Sequence, residues 1–481
     1  MIPILTKKES YFLDKSTIKN KKLNKYYLME KAGKLIAQFF CETVDNPFDK
    51  KVVIVCGKGN NGGDGVISHY FFKKYGVQSK ILLANNDCLN NILLKKYSIL
   101  QNDYNYYNEN FDFSNYDYII DALFGIGFTP KLNLFYNNLI NSINANQNII
   151  SIDIPSGLSA DSNCNGLYVK PKYVVTFNYT KLCHYLNPIN NINVVNIGLG
   201  IPVSNSIFLI CRSYVVNLLK TPNIKENIHK YNRGRCLIFA GSDRYSGAAI
   251  LSASSALKTG AGYINLFMST DSDDLINNVD TYLPEIIVKK NKRYKFPVNC
   301  PVLVGPGDFS FDDFNQKYCH TIDIFNIPLS VFDASALTEN IDIYPKFSIL
   351  TPHEGEFRKL FNIDSSNTIN LDLLKKIQSI INFKIIILKS FNYFIITNKK
   401  IYIVNNGSRL LSVAGTGDVL SGILVSLLSQ GYSRLEASIL GTYLHAEAAN
   451  YYMNEISNDG MTASDLVCSI PGAFNKLRKY D

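Results

Sequence analysis

The sequence predicts two consecutive α/β domains, the first built on a doubly wound parallel sheet. Short β-branched apolar runs alternate with helix-length segments along the whole chain. Glycine-rich loops, several carrying acids, follow those runs. The strand pattern also breaks off into a polar stretch before it resumes. At 481 residues the chain is long enough for two or three domains, and 46% hydrophobic content supplies ordinary cores.

In the first half, strands are expected at 52–56, 80–83, 118–121, 149–154 and 173–177, with helix-length segments between them. After residue 200 the pattern stops, and residues 220–235 are polar, with Pro222, Lys225, Glu226, His229, Lys230 and Arg233. The boundary is therefore expected near residue 221, giving domains at 1–220 and 221–481. A second set of strands is expected at 236–240, 264–267, 302–304, 329–332, 348–350, 385–388 and 394–396, with a helix at 248–258. After Asp418, the spacing of Val419, Leu420, Ile423, Leu424, Leu427 and Leu428 marks one face of a long helix. No internal repeat relates the halves, so they are two different domains.

A formal charge of +9 raises the question of nucleic acid, but the lysines are spread among asparagines and tyrosines rather than gathered in one basic, aromatic-interleaved patch. No nucleic-acid partner is expected. The ten cysteines form no C-x-x-C pair, which excludes a zinc ribbon or a disulfide framework and suits a reduced, cytoplasmic setting. No apolar stretch reaches the length of a membrane span, so neither a signal peptide nor a membrane association is expected.

Ligands of open α/β sheets bind beyond the carboxyl ends of the strands, so the loops there carry the chemistry. The loop 57–65 (GKGNNGGDG) follows a strand and opens a helix, where glycines let backbone N–H groups approach a phosphate. The loop 414–422 (AGTGDVLSG) places Asp418 in a helix's first turn, beside donors suited to an oxyanion or a nucleotide phosphate. Asp121 and Asp153 each stand at the end of an apolar run facing the first loop, although Asp153 could instead cap the turn that comes after it. Asn61, Asp121 and Ser156 offer oxygens from three loops, the donor set of an alkali or alkaline-earth ion. In the second half, glycine groups recur at 241–249, 258–262 and 305–307, and the motif TPHEGEF occupies 351–357.

Four segments of the first half, LMEKAG (28–33), NNGGDG (60–65), DALFGIG (121–127) and IDIPSGL (152–158), together resemble the NAD(P)H-hydrate epimerase family over roughly residues 1–218. The resemblance implies a Rossmann-like domain that interconverts the two C6 epimers of hydrated NADH or NADPH (NADHX or NADPHX). It would hold the substrate through Asn60, Asn61, Gly62, Gly63 and Asp64, through the loop of Gly125, Ile126, Gly127, Phe128, Thr129, Pro130 and Lys131, and through Asp153. It further implies potassium at Asn61, Asp121 and Ser156, and Asp153 as the acid/base. Ile126 departs from the family's usual threonine.

The glycine groups of the second half, with HKYNRG at 229–234, resemble the NAD(P)H-hydrate dehydratase family over about residues 225–480. That family has the ribokinase-like fold. This second resemblance implies phosphorylation of the hydrate's hydroxyl by ADP, or ATP in some members, with Mg2+ expected beside the nucleotide, and then elimination that restores the nicotinamide ring. Asp418 would be the base, with Gly415 and Gly417 around the transferring phosphoryl group. Ala248, Gly307 and His353 would line the hydrate pocket, and Lys389, Ser390, Phe391, Asn392 and Tyr393 would border the nucleotide. Departures are Ser390 for a glycine, Asp308-Phe309 for leucine-glycine, and Ser335 for an aspartate. The order of the domains resembles the bacterial fusion, which favours ADP, and a homo-oligomer is expected. Two other readings stay open: a ribokinase-like small-molecule kinase with a regulatory first domain, and a first domain that only binds, as similar domains do in mRNA-decapping scaffolds.

Overall fold

The computed structural model describes residues 1–24, 26–85, 88–129, 131–202, 206–220, 233–289, 297, 300–318 and 329–479. Pro130 and the polar stretch containing Pro222, Lys225, Glu226, His229 and Lys230 lie outside them. The chain divides into two compact units, one made of residues 3–205 and 368–371, the other of residues 1–2, 206–367 and 372–481. The division thus falls before residue 221. The reason is local: strand Ile207–Leu209 pairs with strand Ile401–Val404, and helix Arg212–Leu218 comes directly after it, so these elements belong to the second unit.

In chain order the strands are β1 (Ile2–Pro3), β2 (Lys51–Cys56), β3 (Gln78–Leu83), β4 (Tyr104–Tyr106), β5 (Tyr118–Ala122), β6 (Ile149–Ile152), β7 (Tyr173–Phe177), β8 (Ile192–Val195), β9 (Ile207–Leu209), β10 (Arg235–Ser242), β11 (Tyr263–Ser269), β12 (Ile287–Lys289), β13 (Val302–Val304), β14 (Ser330–Phe332), β15 (Ser348–Leu350), β16 (Ile385–Lys389), β17 (Tyr393–Ile396) and β18 (Ile401–Val404).

The first unit's sheet runs β4-β3-β2-β5-β6-β7-β8 with every pair parallel, so the order reverses between β2 and β5. Crevices for ligands open at such reversals. In β2 the five residues from Val52 to Cys56 are buried on both faces, as expected of a strand covered by helices above and below. Helix Asn60–Tyr75 begins just beyond it, and its first turn crosses the strand end closely enough that a Cβ on Gly62 would stand 1.8 Å from the Gly57 carbonyl oxygen.

The second unit's sheet runs β1-β9-β18-β17-β16-β15-β14-β13-β10-β11-β12. It is parallel from β12 through β16, then turns back antiparallel through β17 and β18. Helix Thr416–Ser429 buries Val419, Leu420, Ile423, Leu424, Leu427 and Leu428, the face the spacing predicts. Each such side chain fully removed from water contributes about 1.5–3 kcal/mol. The helix packs on helix Ser246–Thr259 through small residues: the Ser426 hydroxyl donates to the Ala256 carbonyl at 2.8 Å, and Gly422 lies against Ser252 and Ser255.

That close approach makes Gly422→Ala a test of the packing. Alanine gains about 1 kcal/mol of helix propensity, but its Cβ would stand 2.1 Å from the Ser252 carbonyl oxygen and 2.0 Å from Ser255 Oγ, so the helices must separate. Overpacking of that kind costs about 1–3 kcal/mol. The expected net result is a destabilised second unit, read as a lowered midpoint in urea denaturation.

Candidate active sites

In the first unit a cavity of about 150 Å³ opens beyond the strand ends, lined by Asp14, Asn60, Asp64, Ile126, Asp153 and Lys181 among others. Asp153 comes just after β6 in left-handed backbone (φ 62°), which turns its side chain toward β7 and away from the turn it precedes. Its Oδ1 accepts hydrogen bonds from the Thr176 hydroxyl at 2.9 Å and from the Lys181 ammonium, while Lys181 also donates to Thr176 Oγ1 at 2.8 Å. His184 supports the backbone: its Nδ1 accepts from the Lys181 N–H at 3.2 Å, so Nε2 carries the proton and donates to the Asp153 carbonyl at 2.9 Å. Burial holds the His184 pKa down at about 4 and keeps the ring neutral.

The three carboxyls of this cavity have different environments. For Asp153 burial opposes ionisation, but the charge and hydrogen bond of Lys181, with His184 and Thr176, outweigh it and hold the carboxyl below its ordinary range. Asp64 is buried without such a cation, and burial followed by the charges of Asp153 and Asp14 pushes it well above its ordinary value. Asp14, on helix Lys7–Asn20, is raised to about 6 by burial and by Asp153, with Lys181 acting in the opposite direction. The cavity therefore pairs a charged acid with acids biased toward the protonated form.

Beside it, Asp121 at the end of β5 is completely buried. It accepts from Ser151 Oγ at 2.7 Å, the Ser156 N–H at 2.9 Å and Ser156 Oγ at 2.5 Å. The Asn61 amide donates to the Phe124 carbonyl at 2.9 Å, and the Phe124 N–H donates to Ser156 Oγ at 2.9 Å. Asn61, Asp121 and Ser156 thus converge around Phe124. A buried carboxylate with amide, hydroxyl and carbonyl oxygens around it and no His or Cys among them is the donor chemistry of a hard monovalent or divalent cation.

In the second unit, Gly415 (φ 91°) caps helix Thr416–Ser429 and sets Asp418 in its first turn. The loop is fixed from behind by His445, whose Nε2 donates to the Thr416 carbonyl and whose Nδ1 accepts from the Tyr393 hydroxyl, both at 2.8 Å. Facing Asp418 is an ion pair: half-buried Lys389, ending β16, donates to buried Asp333 Oδ1 at 2.7 Å, and Ser421 donates to the other oxygen of Asp333. Burial and the charge of Asp333 raise the Asp418 pKa to about 7, against the lowering effect of Lys389. A carboxyl poised near neutrality at a helix N-terminus is suited to take a proton from a hydroxyl at physiological pH.

Comparison with known proteins places these two sites in context. Residues 25–183 match the family described as YjeF-related protein N-terminus, and residues 236–472 match the family described as NAD(P)H-hydrate dehydratase. A protein of Dictyoglomus turgidum named bifunctional NAD(P)H-hydrate repair enzyme is 29% identical over 94% of each chain. One of the same name from Helicobacter pylori is 28% identical over 95% of this chain and 97% of its own. This chain belongs to the bifunctional NAD(P)H-hydrate repair enzyme family. Among solved structures, an ADP/ATP-dependent NAD(P)H-hydrate dehydratase from Bacillus subtilis, crystallised with ATP and Mg2+, is 23% identical, covers 57% of this chain and all of its own, and has a TM-score of 0.49.

Within this repair-enzyme chain the expected substrate residues are only partly brought together. Asn60, Asp64, Ile126 and Asp153 line the first cavity. Gly62 and Gly63 instead pack against the Gly57 carbonyl and the Met29 sulfur, Gly125 lies on Asn61, and Phe128 stacks on Phe124 at 4.6 Å. Gly127, Thr129 and Lys131 are exposed on the loop. Ile126, in place of threonine, packs with Ile154 and Leu158 and gives the cavity an apolar wall.

In the dehydratase unit Ala248 and Gly307 (φ 70°) are neighbours, since a Cβ on Gly307 would fall 2.7 Å from that of Ala248. His353 caps helix Glu354–Leu360 through Nδ1, which accepts from the Gly355 N–H at 3.0 Å, and it pairs in the sheet with Lys389. Gly417 lies beside the Lys389 ammonium. Ser390 and Phe391 are exposed, whereas Asn392 and Tyr393 are buried, with the Tyr393 hydroxyl committed to His445. Two departures meet: the Ser335 hydroxyl donates to Asp308 Oδ1 at 3.3 Å, so an acid is kept there on the other loop.

Sequence reasoning missed Asp14, Lys181, Asp333 and His445. Asp333 had the signal already used for Asp121, an acid directly after an apolar strand. The others sit in helices or turns with no strand end to mark them.

The charges of the first cavity set its stability against pH. Lys181→Met leaves Asp153 buried and unpaired, which costs about 3–5 kcal/mol at neutral pH. In the intact pair the Asp153 pKa is lower folded than unfolded, so its stabilisation is present above the unfolded value and is lost as pH falls through the folded one. With Lys181 gone, burial is left to favour the protonated Asp153, so the deficit of the variant, measured by urea denaturation at pH 7 and pH 4, should shrink on acidification as that carboxyl takes up its proton. Asp64 has the opposite sign: its folded value is raised, so its ionisation opposes folding as pH rises. Asp64→Asn should stabilise the first unit at pH 7, and no gain there would contradict the assignment.

Proposed function

We propose that the chain repairs hydrated nicotinamide nucleotides in two steps, with the first unit epimerising NADHX or NADPHX and the second dehydrating the S form at the expense of ADP. The observation that carries this reading is that each unit keeps its own acid site, Asp153 with Lys181 in one and Asp418 with Asp333 and Lys389 in the other, within a single chain matched to repair enzymes over more than nine-tenths of its length.

In the second unit, Asp418 takes the proton of the C6 hydroxyl as that oxygen attacks the terminal phosphorus of ADP. Lys389, held by Asp333, and the N–H groups of the first turn after Gly415 would stabilise the charge that develops on the transferring group. AMP departs. The C6–O bond of the phosphorylated hydrate then breaks, phosphate leaves with its electron pair, and loss of a C5 proton restores the dihydronicotinamide. Mg2+, when bound with the nucleotide, neutralises phosphate charge. Ala248, Gly307 and His353 border the hydrate, and the exposed Ser390 and Phe391 border the adenine. A kinase acting on another small molecule would keep its phosphorylated product, whereas repair releases free phosphate.

In the first unit, Asp121, Ser156 and Asn61 would hold potassium, which would offset the charge of the fully buried Asp121 and anchor the loop carrying Ile126 against the cavity. Asp153, held ionised by Lys181, would orient the hydrate and not serve as the acid/base that the resemblance implies. A merely binding first domain would have no need of the three differently biased carboxyls found in its cavity.

The reading is tested by following reduced-nicotinamide absorbance when purified protein meets mixed-epimer NADH hydrate with ADP or ATP and potassium. Recovery of both epimers with release of phosphate supports it, and a retained phosphorylated product points to the kinase. Asp418→Asn should lower dehydration by about 10²–10⁴-fold while epimerisation continues. Because the base must be ionised, wild-type dehydration should rise as pH increases through about 7 and level off above it.

A further inference from the structure

The cavity of the first unit contains an acid that neither the motifs nor the family matches single out. Asp14 lies on helix Lys7–Asn20, which begins ahead of the segment matched by the YjeF-related family. The helix is fixed in place at both ends. Thr6 and Glu9 form a capping box, the Lys7 N–H donates to Asp161 Oδ1 at 2.9 Å, and the Lys7 ammonium donates to the Phe128 carbonyl at 3.2 Å on the substrate loop. Toward its other end Thr17 Oγ1 accepts from the Gly200 N–H at 3.1 Å, and Leu13 and Thr17 are buried. Helix Lys7–Asn20 is therefore a wall of the cavity, and Asp14 is on its inner side.

The charged groups facing Asp14 come from three elements: Asp64 from helix Asn60–Tyr75, Asp153 after β6 and Lys181 after β7. Leu28, Met29 and Ala32 of helix Tyr27–Thr43, with Ile197 and Leu199, supply apolar lining. Asp153 and Lys181 satisfy one another. Asp64 is only 9% exposed, lines the cavity and has neither a cation nor a hydrogen-bond donor among its described neighbours, so its carboxyl is directed at whatever occupies the space.

We propose that Asp14 is a catalytic residue of epimerisation, acting as the base on the C6 hydroxyl while Asp64 acts as the acid on the ring nitrogen. The proposal rests on the epimerase reading above. Two carboxyls close enough to repel share one proton more readily than they ionise together. Asp64, the more deeply buried, carries it; Asp14, on which the charge of Lys181 acts, is the carboxylate. As Asp14 takes the hydroxyl proton, the C6–O bond becomes a carbonyl, the C6–N1 bond breaks with its electrons passing to N1, and N1 receives the proton of Asp64. The open aldehyde rotates. N1 then attacks the other face, Asp64 recovers its proton from N1, and Asp14 returns its own to the oxygen, so both acids end as they began. Asp153, fixed by Lys181, positions the ring throughout.

The test uses the full chain and pure S hydrate without nucleotide, with R and S forms separated by chromatography and the enzyme-free rate subtracted. Asp14→Asn, which preserves shape, should lower epimerisation at least about 100-fold, with ADP-dependent dehydration of the S form within twofold of wild type. Asp14→Glu should retain a measurable fraction. The wild-type rate should fall as pH drops through about 6, and that acid limb should vanish from the residual activity of Asp14→Asn. A structural role would lower the rate without moving the profile. Epimerisation by Asp14→Asn within fivefold of wild type, or a flat wild-type profile between pH 5 and 7, overturns the proposal. If wild-type protein does not exceed the enzyme-free rate at any pH, the epimerase reading itself falls.

Discussion

A carboxyl group removed from water must meet a cation or donors, or else keep its proton. Both active sites are arranged around that requirement. Asp121, Asp153 and Asp333 stand at or just beyond the carboxyl ends of parallel strands, where the sheet ends and loops leave room for a ligand. Asp153 and Asp333 are each answered by a lysine, Lys181 and Lys389, and each lysine is itself held by a nearby strand or by the turn after it. Asp121 is answered by hydroxyls and backbone N–H groups.

In the proposed reactions the acids left without an equal partner are the ones that exchange protons. Asp418 faces the Asp333–Lys389 pair without belonging to it, and Asp64 and Asp14 face the Asp153–Lys181 pair in the same way. In each unit a satisfied pair fixes the geometry beside an acid that has no cation of its own. One arrangement thus supports two chemistries. A single base suffices where a phosphoryl group is the acceptor, and an acid with a base is needed where a ring bond must open and close.

The backbone around these groups is held by neutral histidines. His184 and His445 are both buried, both lowered to about 4, and both donate through Nε2 to a carbonyl of the catalytic loop. Burial keeps them uncharged at physiological pH, so they act as hydrogen-bonding braces and not as titrating groups. Family membership over nearly the whole chain and the separate integrity of the two sites agree on why epimerase and dehydratase share a polypeptide. Spontaneous damage gives two epimers, and a dehydratase that takes one of them needs the other to be converted.

Much of this is legible in the amino-acid sequence. Apolar runs at 52–56, 118–121 and 302–304 become buried parallel strands because burial on both faces demands continuous hydrophobicity. The acids directly after such runs, and the glycine loops that open helices, are placed at strand ends by pattern alone. The strands β4, β8, β9, β12 and β18 are not legible in that way. Each is only three or four residues long, and pairing with a neighbour fixes it more than its own composition does. The domain division shifts for the same reason, since β9 is defined by β18, far away in sequence. Tertiary structure alone brings Asp14 and Lys181 to Asp64 and Asp153, and it alone decides which acid is paired and which is left to exchange protons. A sequence shows which residues can ionise; their protonation depends on burial and on charges contributed by distant segments.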